Sequence, residues 1–153
     1  MFRSILIASA LVAASAGAVQ AQDCAAEPQF ATYRTANSTI RAQYNAVTRG
    51  QWRQAIHFGN EVASGRGAPG NRIAALSNLC VAYAATGELQ SAIESCDAAL
   101  ELSPTAWRAY NNRGAAHWLA GDHAAATSDF EAAAALAAGE AEVQANSSLA
   151  QCS

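Results

Sequence analysis

Residues 73–106 read IAALSNLCVAYAATGELQSAIESCDAALELSPTA. Apolar side chains recur at Leu76, Leu79, Cys80 and Tyr83, three and four residues apart, and so line one face of a helix. Gly87 stops that helix and Glu88 favours the start of another, in which Ala92, Ile93, Cys96, Ala99 and Leu100 mark a second buried stripe. Ser103-Pro104 then predicts a new N-cap followed by proline in the first turn, where a missing N–H leaves nothing unsatisfied. The unit is two helices and a tight turn.

Displaced by 34 residues, the unit falls on its successor: Asn78 on Asn112, Gly87 on Gly121, Glu88 on Asp122, Asp97 on Glu131 and Leu102 on Leu136. Ala75, Ala82, Ala92, Ala98 and Ala99 fall on Ala109, Ala116, Ala126, Ala132 and Ala133, which weighs little in a chain where 41 of 153 residues are Ala. In this copy Trp107, Tyr110, Gly114 and His117 form the first face, and Ala126, Phe130 and Ala133 the second. A looser copy lies upstream, where Gly50-Gln51-Trp52-Arg53-Gln54-Ala55-Ile56 parallels Gly87-Glu88-Leu89-Gln90-Ser91-Ala92-Ile93 at a spacing of 37. The extra residues fit the turn-rich stretch from Ser64 to Asn71.

These residues resemble the tetratricopeptide repeat, whose 34-residue unit runs W-x2-L-G-x2-Y, then A-x3-F, then P. The second copy offers Leu76-x2-Leu79-Cys80-x2-Tyr83, Ala92-x3-Cys96, Ala99 and Pro104. The third offers Tyr110-x2-Arg113-Gly114-x2-His117 and Ala126-x3-Phe130, with Ala138 where the proline stands. The first lacks most of the first-helix pattern. The resemblance implies an all-α fold, an α-solenoid of about three helix-turn-helix units plus a C-terminal capping helix. Its divisions would be 1–21 (a signal peptide), 22–35 (an N-terminal segment and the start of the first helix), repeats at 36–72, 73–106 and 107–138, and a cap and tail over 139–153.

The resemblance also implies a function. The unpacked face of the first helices lines a concave groove that takes peptides, and recurrent Asn residues hold the peptide backbone. Asn78 and Asn112 match that Asn, an amide that both donates to and accepts from a peptide unit. The rest of the stripe is Arg108, Asn111, Ala115, Trp118 and Leu119 in the third copy, Ala74, Ser77, Val81 and Ala85 in the second, and Asn37, Ile40, Arg41 and Tyr44 in the first. Arg41 and Arg108 would pair with acidic groups and Trp118 would anchor an apolar side chain. The plainer alternative is that Asn111 and Asn112 solvate a helix face and that the cap buries Trp118. The lysines of the family's carboxylate clamp are absent, as all nine basic residues are Arg.

Charge and compartment narrow the partner. With twelve acidic residues against nine basic ones and no basic stripe, nucleic acid is not an expected ligand. Arg3, the apolar run Ile5–Ala14 and the small-residue site Val19-Gln20-Ala21 describe a secretory signal, too short to span a membrane. With Asp23 immediately before Cys24, a lipid-attachment site is not expected. The expected product is a periplasmic or secreted chain starting at Gln22, with no membrane association after cleavage.

An even cysteine count in an exported chain argues for disulfides. Cys80 and Cys96 each lie eight residues from Glu88, at the turn of an antiparallel pair, so they should sit at one height. A bridge is expected if their Cα atoms come within about 7 Å; two small buried thiols are the alternative. Cys24 and Cys152 fall at opposite ends of an open stack, so an internal bridge would demand an approach of the termini that a linear solenoid does not naturally provide; an intermolecular bridge and free thiols are equally open. No C-x-x-C is present.

Nothing points to catalysis. His117 and His123 lack the i, i+4 spacing of a helical zinc site, His57 has no carboxylate partner in sequence, and there is no G-x-S-x-G, H-E-x-x-H or phosphate loop. No cofactor or metal is expected. The reading is a non-catalytic scaffold or adaptor that binds an unidentified protein or peptide in its groove. The alternative is a self-associating envelope component, a homo-oligomer held by disulfides.

Overall fold

Three glycines punctuate the chain. In the computed structural model, which describes residues 27–152, Gly50, Gly87 and Gly121 take φ of 67°, 82° and 83°. A Cβ would strain that left-handed conformation. Each glycine closes a helix with the same two bonds. The Gly87 N–H donates to the Ala84 carbonyl and the Glu88 N–H to the Tyr83 carbonyl. Gly121 and Asp122 donate likewise to Trp118 and His117, and Gly50 and Gln51 to Val47 and Ala46. This Schellman pairing satisfies carbonyls that a helix end would otherwise leave open.

Around these turns the described residues form helices and no strand: α1 Ser38–Thr48, α2 Trp52–Ala63, α3 Pro69–Ala85, α4 Leu89–Leu102, α5 Trp107–Leu119, α6 His123–Ala137 and α7 Ala141–Ala150. The fold is an α-solenoid of three helical hairpins, α1–α2, α3–α4 and α5–α6, with α7 laid on α5 and α6. Asn37 caps α1, its Oδ1 accepting from the Thr39 and Ile40 N–H groups. Pro69 opens α3, where proline fits because its ring presets φ and no N–H is needed.

Four of the five alanine pairs that matched across the displacement are packing positions, whereas Ala98 and Ala132 are only half-buried. Ala75 and Ala109, Ala82 and Ala116, Ala92 and Ala126, and Ala99 and Ala133 are all fully buried. A methyl there lets neighbouring helices close up, and close-packed interiors leave no room for more.

At one height the second and third hairpins differ. Cys80 and Cys96 are joined by a disulfide, with Cα atoms 5.5 Å apart. By the chain-entropy argument, cross-linking residues 16 apart stabilises the fold by about 3 kcal/mol. The third hairpin has Gly114 and Phe130 there, and a Cβ on Gly114 would lie 2.7 Å from the Phe130 ring. The ring fills the space that glycine vacates. Beside it, the Arg113 guanidinium grips both oxygens of buried Asp129 at 2.8 and 2.7 Å and also donates to Asp97, tying α5 to α4 and α6.

Two local expectations fail. Ser103-Pro104 does not start a helix: the Ser103 N–H still donates to Ala99 as the cap of α4, and α5 begins at Trp107 after a further turn. No helix begins within the described part of 22–35 either. Residues 27–37 run outside any helix, because their main-chain groups bond elsewhere. The expected signal segment, the Gln22 start and Cys24 lie outside the described residues.

Candidate functional site

An extended segment packed away from any strand leaves its N–H and C=O groups in need of partners. Residues 29–33 find them in three asparagines spaced 34 residues apart. Asn78 of α3 accepts from the Tyr33 N–H at 2.7 Å and donates to the Tyr33 carbonyl at 2.9 Å. Asn112 of α5 does the same for Ala31, at 2.8 Å both ways. Asn146 of α7 does so for Gln29, at 2.7 Å both ways.

Each amide therefore reads both main-chain groups of one residue, and successive helices read alternate residues. That step of two is the period at which an extended chain repeats its orientation. The segment, a strap, runs against the order of the repeats, from α7 past α5 to α3.

A second row orients the first. Gln43, Ser77 and Asn111 are also spaced by 34 residues, and each carries a side-chain oxygen that accepts from the amide of the next repeat's ladder asparagine. Asn78 donates to Gln43 Oε1 at 3.5 Å, Asn112 to Ser77 Oγ at 3.1 Å and Asn146 to Asn111 Oδ1 at 2.9 Å. Asn111 also donates to the Gln29 carbonyl at 2.8 Å. All six side chains are fully buried. A buried amide must be fully satisfied, so the second row fixes which way each ladder amide points.

Side chains complete the seat. Ala31 is 1% exposed, Pro28 is buried, and Phe30 packs against all three clusters of the apolar core. Arg108 lays its guanidinium over the Tyr33 ring at 4.9 Å and over the Trp107 ring at 4.1 Å. Burial raises the Tyr33 phenol above its ordinary value, opposed by the Arg108 charge. Gln29 and Arg34 face solvent.

The expected groove residues divide accordingly. Asn78, Asn111 and Asn112 are brought together, but on the chain's own strap rather than on a solvent-filled groove. Arg108 also meets the strap, stacked on aromatic rings instead of paired with an acid. Tyr44, at the ladder position of the first hairpin, has no amide to offer and lies half-buried with the Arg34 guanidinium over its ring at 5.9 Å. Arg41 is exposed. Asn37 serves as a cap. Trp118 is half-buried: it packs against Ala115, Ala126 and Phe130 and meets the His123 ring edge-on at 4.3 Å.

Asn146 and Gln43 were not foreseen, although each stands one 34-residue step from a recognised position. The strap had no such signal. It also lays the N-terminal part of the described chain on its C-terminal helix α7. Gln29, five residues after Cys24, sits on Asn146, six residues before Cys152. Cys152 is disulfide-bonded.

Residues 73–106 and residues 108–139 each match the tetratricopeptide repeat. No curated protein matches the chain.

Proposed function

The chain carries two tetratricopeptide repeats, modules of protein–protein interaction that are generally non-catalytic, and from them we propose an adaptor that takes an extended segment of a partner protein along its asparagine ladder. One observation carries this reading: Asn78, Asn112 and Asn146 bond both main-chain groups of alternate residues in an extended segment. Such bonds ask nothing of the ligand's side chains, so the ladder suits a peptide main chain as such. The signal-like start from Arg3 to Ala21 supports a periplasmic or secreted setting.

The internal Cys80–Cys96 pairing and the bonded state of Cys152 favour a separate adaptor over an envelope component whose copies are joined through cysteines. The test is capture from native envelope extract with the full chain as bait, beside an Asn78→Ala, Asn112→Ala variant checked for helicity by circular dichroism. The double variant should lose the captured partner. Equal capture by a folded double variant would move the interaction to another face.

A further inference from the structure

The strap defines what else the ladder can hold. The amides read main chain only, so selection falls to the side chains between them. At the Ala31 position the seat admits nothing larger than a methyl, since Ala31 is 1% exposed and Asn112 grips both its main-chain groups. At the Phe30 position it takes a ring that reaches three apolar clusters. At the Tyr33 position a ring meets the Arg108 guanidinium. At Pro28 the seat is closed, whereas at Gln29 and Arg34 it is open to solvent.

We propose that the groove selects, in another protein, an extended segment of the pattern Pro-x-aromatic-small-x-aromatic, and that this segment binds by displacing the strap. The occupant is a partner segment that copies the strap's own chemistry. The strap is suited to yield: it has no helix or strand of its own, and what holds residues 29–33 is the ladder and the seats just named. Each hydrogen bond is worth only about 0.5–1.5 kcal/mol net, and an incoming main chain remakes them one for one. The strap's advantage is tethering, which sets an effective concentration on the order of millimolar. A partner must therefore fit better, or meet a strap that has been weakened.

This rests on the adaptor reading of the same site, so its test keeps the two apart. The probe is a fluorescent peptide of residues 27–36, EPQFATYRTA. The proteins are the full chain, its Ala31→Glu variant, whose strap cannot seat, and that variant with Asn112→Ala added. The peptide should bind Ala31→Glu at least about tenfold more tightly than the unaltered chain, where the tethered strap competes. Binding should vanish with Asn112→Ala, and a peptide bearing Glu at its Ala31 position should not bind.

Equal binding to the unaltered and Ala31→Glu chains, or none to a helical Ala31→Glu chain, overturns the inference. Should that variant not fold, hydrogen exchange on the unaltered chain decides. Excess peptide should deprotect the Gln29, Ala31 and Tyr33 amides and leave those of α3–α6 unchanged; unaltered protection overturns the inference. If the peptide fails while envelope capture still depends on Asn78 and Asn112, only the ligand pattern is wrong. If both fail, the site is lost too.

Discussion

The helical stack and the strap it holds are stabilised by opposite means. In the stack, apolar atoms meet apolar atoms: eight matched alanines with no exposed surface, a disulfide in one hairpin and a glycine under a phenylalanine in the next. Its main-chain bonds are local and made within each helix. The strap buries Pro28, Ala31 and much of Phe30, but between Gln29 and Tyr33 its main-chain bonds run to side chains of three distant helices. Loss of apolar packing should therefore threaten the whole fold, whereas loss of an amide should threaten one segment. A helical stack of this kind can carry a separable piece because its own main chain is already satisfied.

The largest effect should come from Phe130→Ala. It empties the space that Gly114 leaves for the ring, in a hairpin with no disulfide at that height. A loss of about 3–5 kcal/mol is expected, read as a lower Tm with cooperative loss of far-ultraviolet circular dichroism. Asn112→Ala should act differently. It leaves the Ala31 N–H and carbonyl without partners, at about 1–3 kcal/mol for each group that stays buried. The segment can avoid that cost by leaving. The expected outcome is rapid amide exchange at Gln29, Ala31 and Tyr33 with helicity and Tm nearly retained. If Asn112→Ala lowers the Tm as far as Phe130→Ala does, the strap belongs to the core and the distinction collapses.

The same contrast explains what could be read in advance. The hairpins follow local rules: Gly87 and Gly121 end helices whatever surrounds them, and the spacing of Leu76, Leu79, Cys80 and Tyr83 turns one face inward. The Cys80–Cys96 bridge follows from equal distance to a turn. Asn78 and Asn112 were legible because a repeat displays its residues in register, and Asn146 was not, because it stands one step further on in a terminal helix without the rest of the repeat pattern. Ser103-Pro104 misled because a serine that caps the start of one helix can equally end the one before it. The strap obeys no period of its own. Its conformation is imposed by amides up to 117 residues away in the chain, and no local pattern around Pro28–Tyr33 announces that. The helix face that carries Trp118 was legible, but its neighbours across the hairpin, Ala126 and Phe130, were not.

The smallest effect is a titration confined to the strap. Burial raises the Tyr33 phenol above its ordinary value of 10.0, against the pull of Arg108. A group raised on docking contributes stability that is fully present below its undocked pKa and is lost as pH rises through the docked one. The strap should therefore loosen above pH 10, where tyrosinate must leave its seat to be solvated. The Arg113 guanidinium, pushed further up by its bonds to Asp129 and Asp97, keeps its charge over this range and keeps α5 tied to α4 and α6. Cζ-labelled tyrosine followed by NMR should show one ring ionising later than the ordinary value, and that resonance should be missing in Tyr33→Phe. The stability gap between the unaltered chain and Tyr33→Phe should fall as pH passes 10, with far-ultraviolet ellipticity unchanged. A Tyr33 resonance that titrates at or below its ordinary value would mean that the ring is not seated beside α5 in solution. The Tyr33 position would then add no selectivity, which would rest on Ala31, with its two bonds to Asn112, and on the Phe30 ring in its apolar seat.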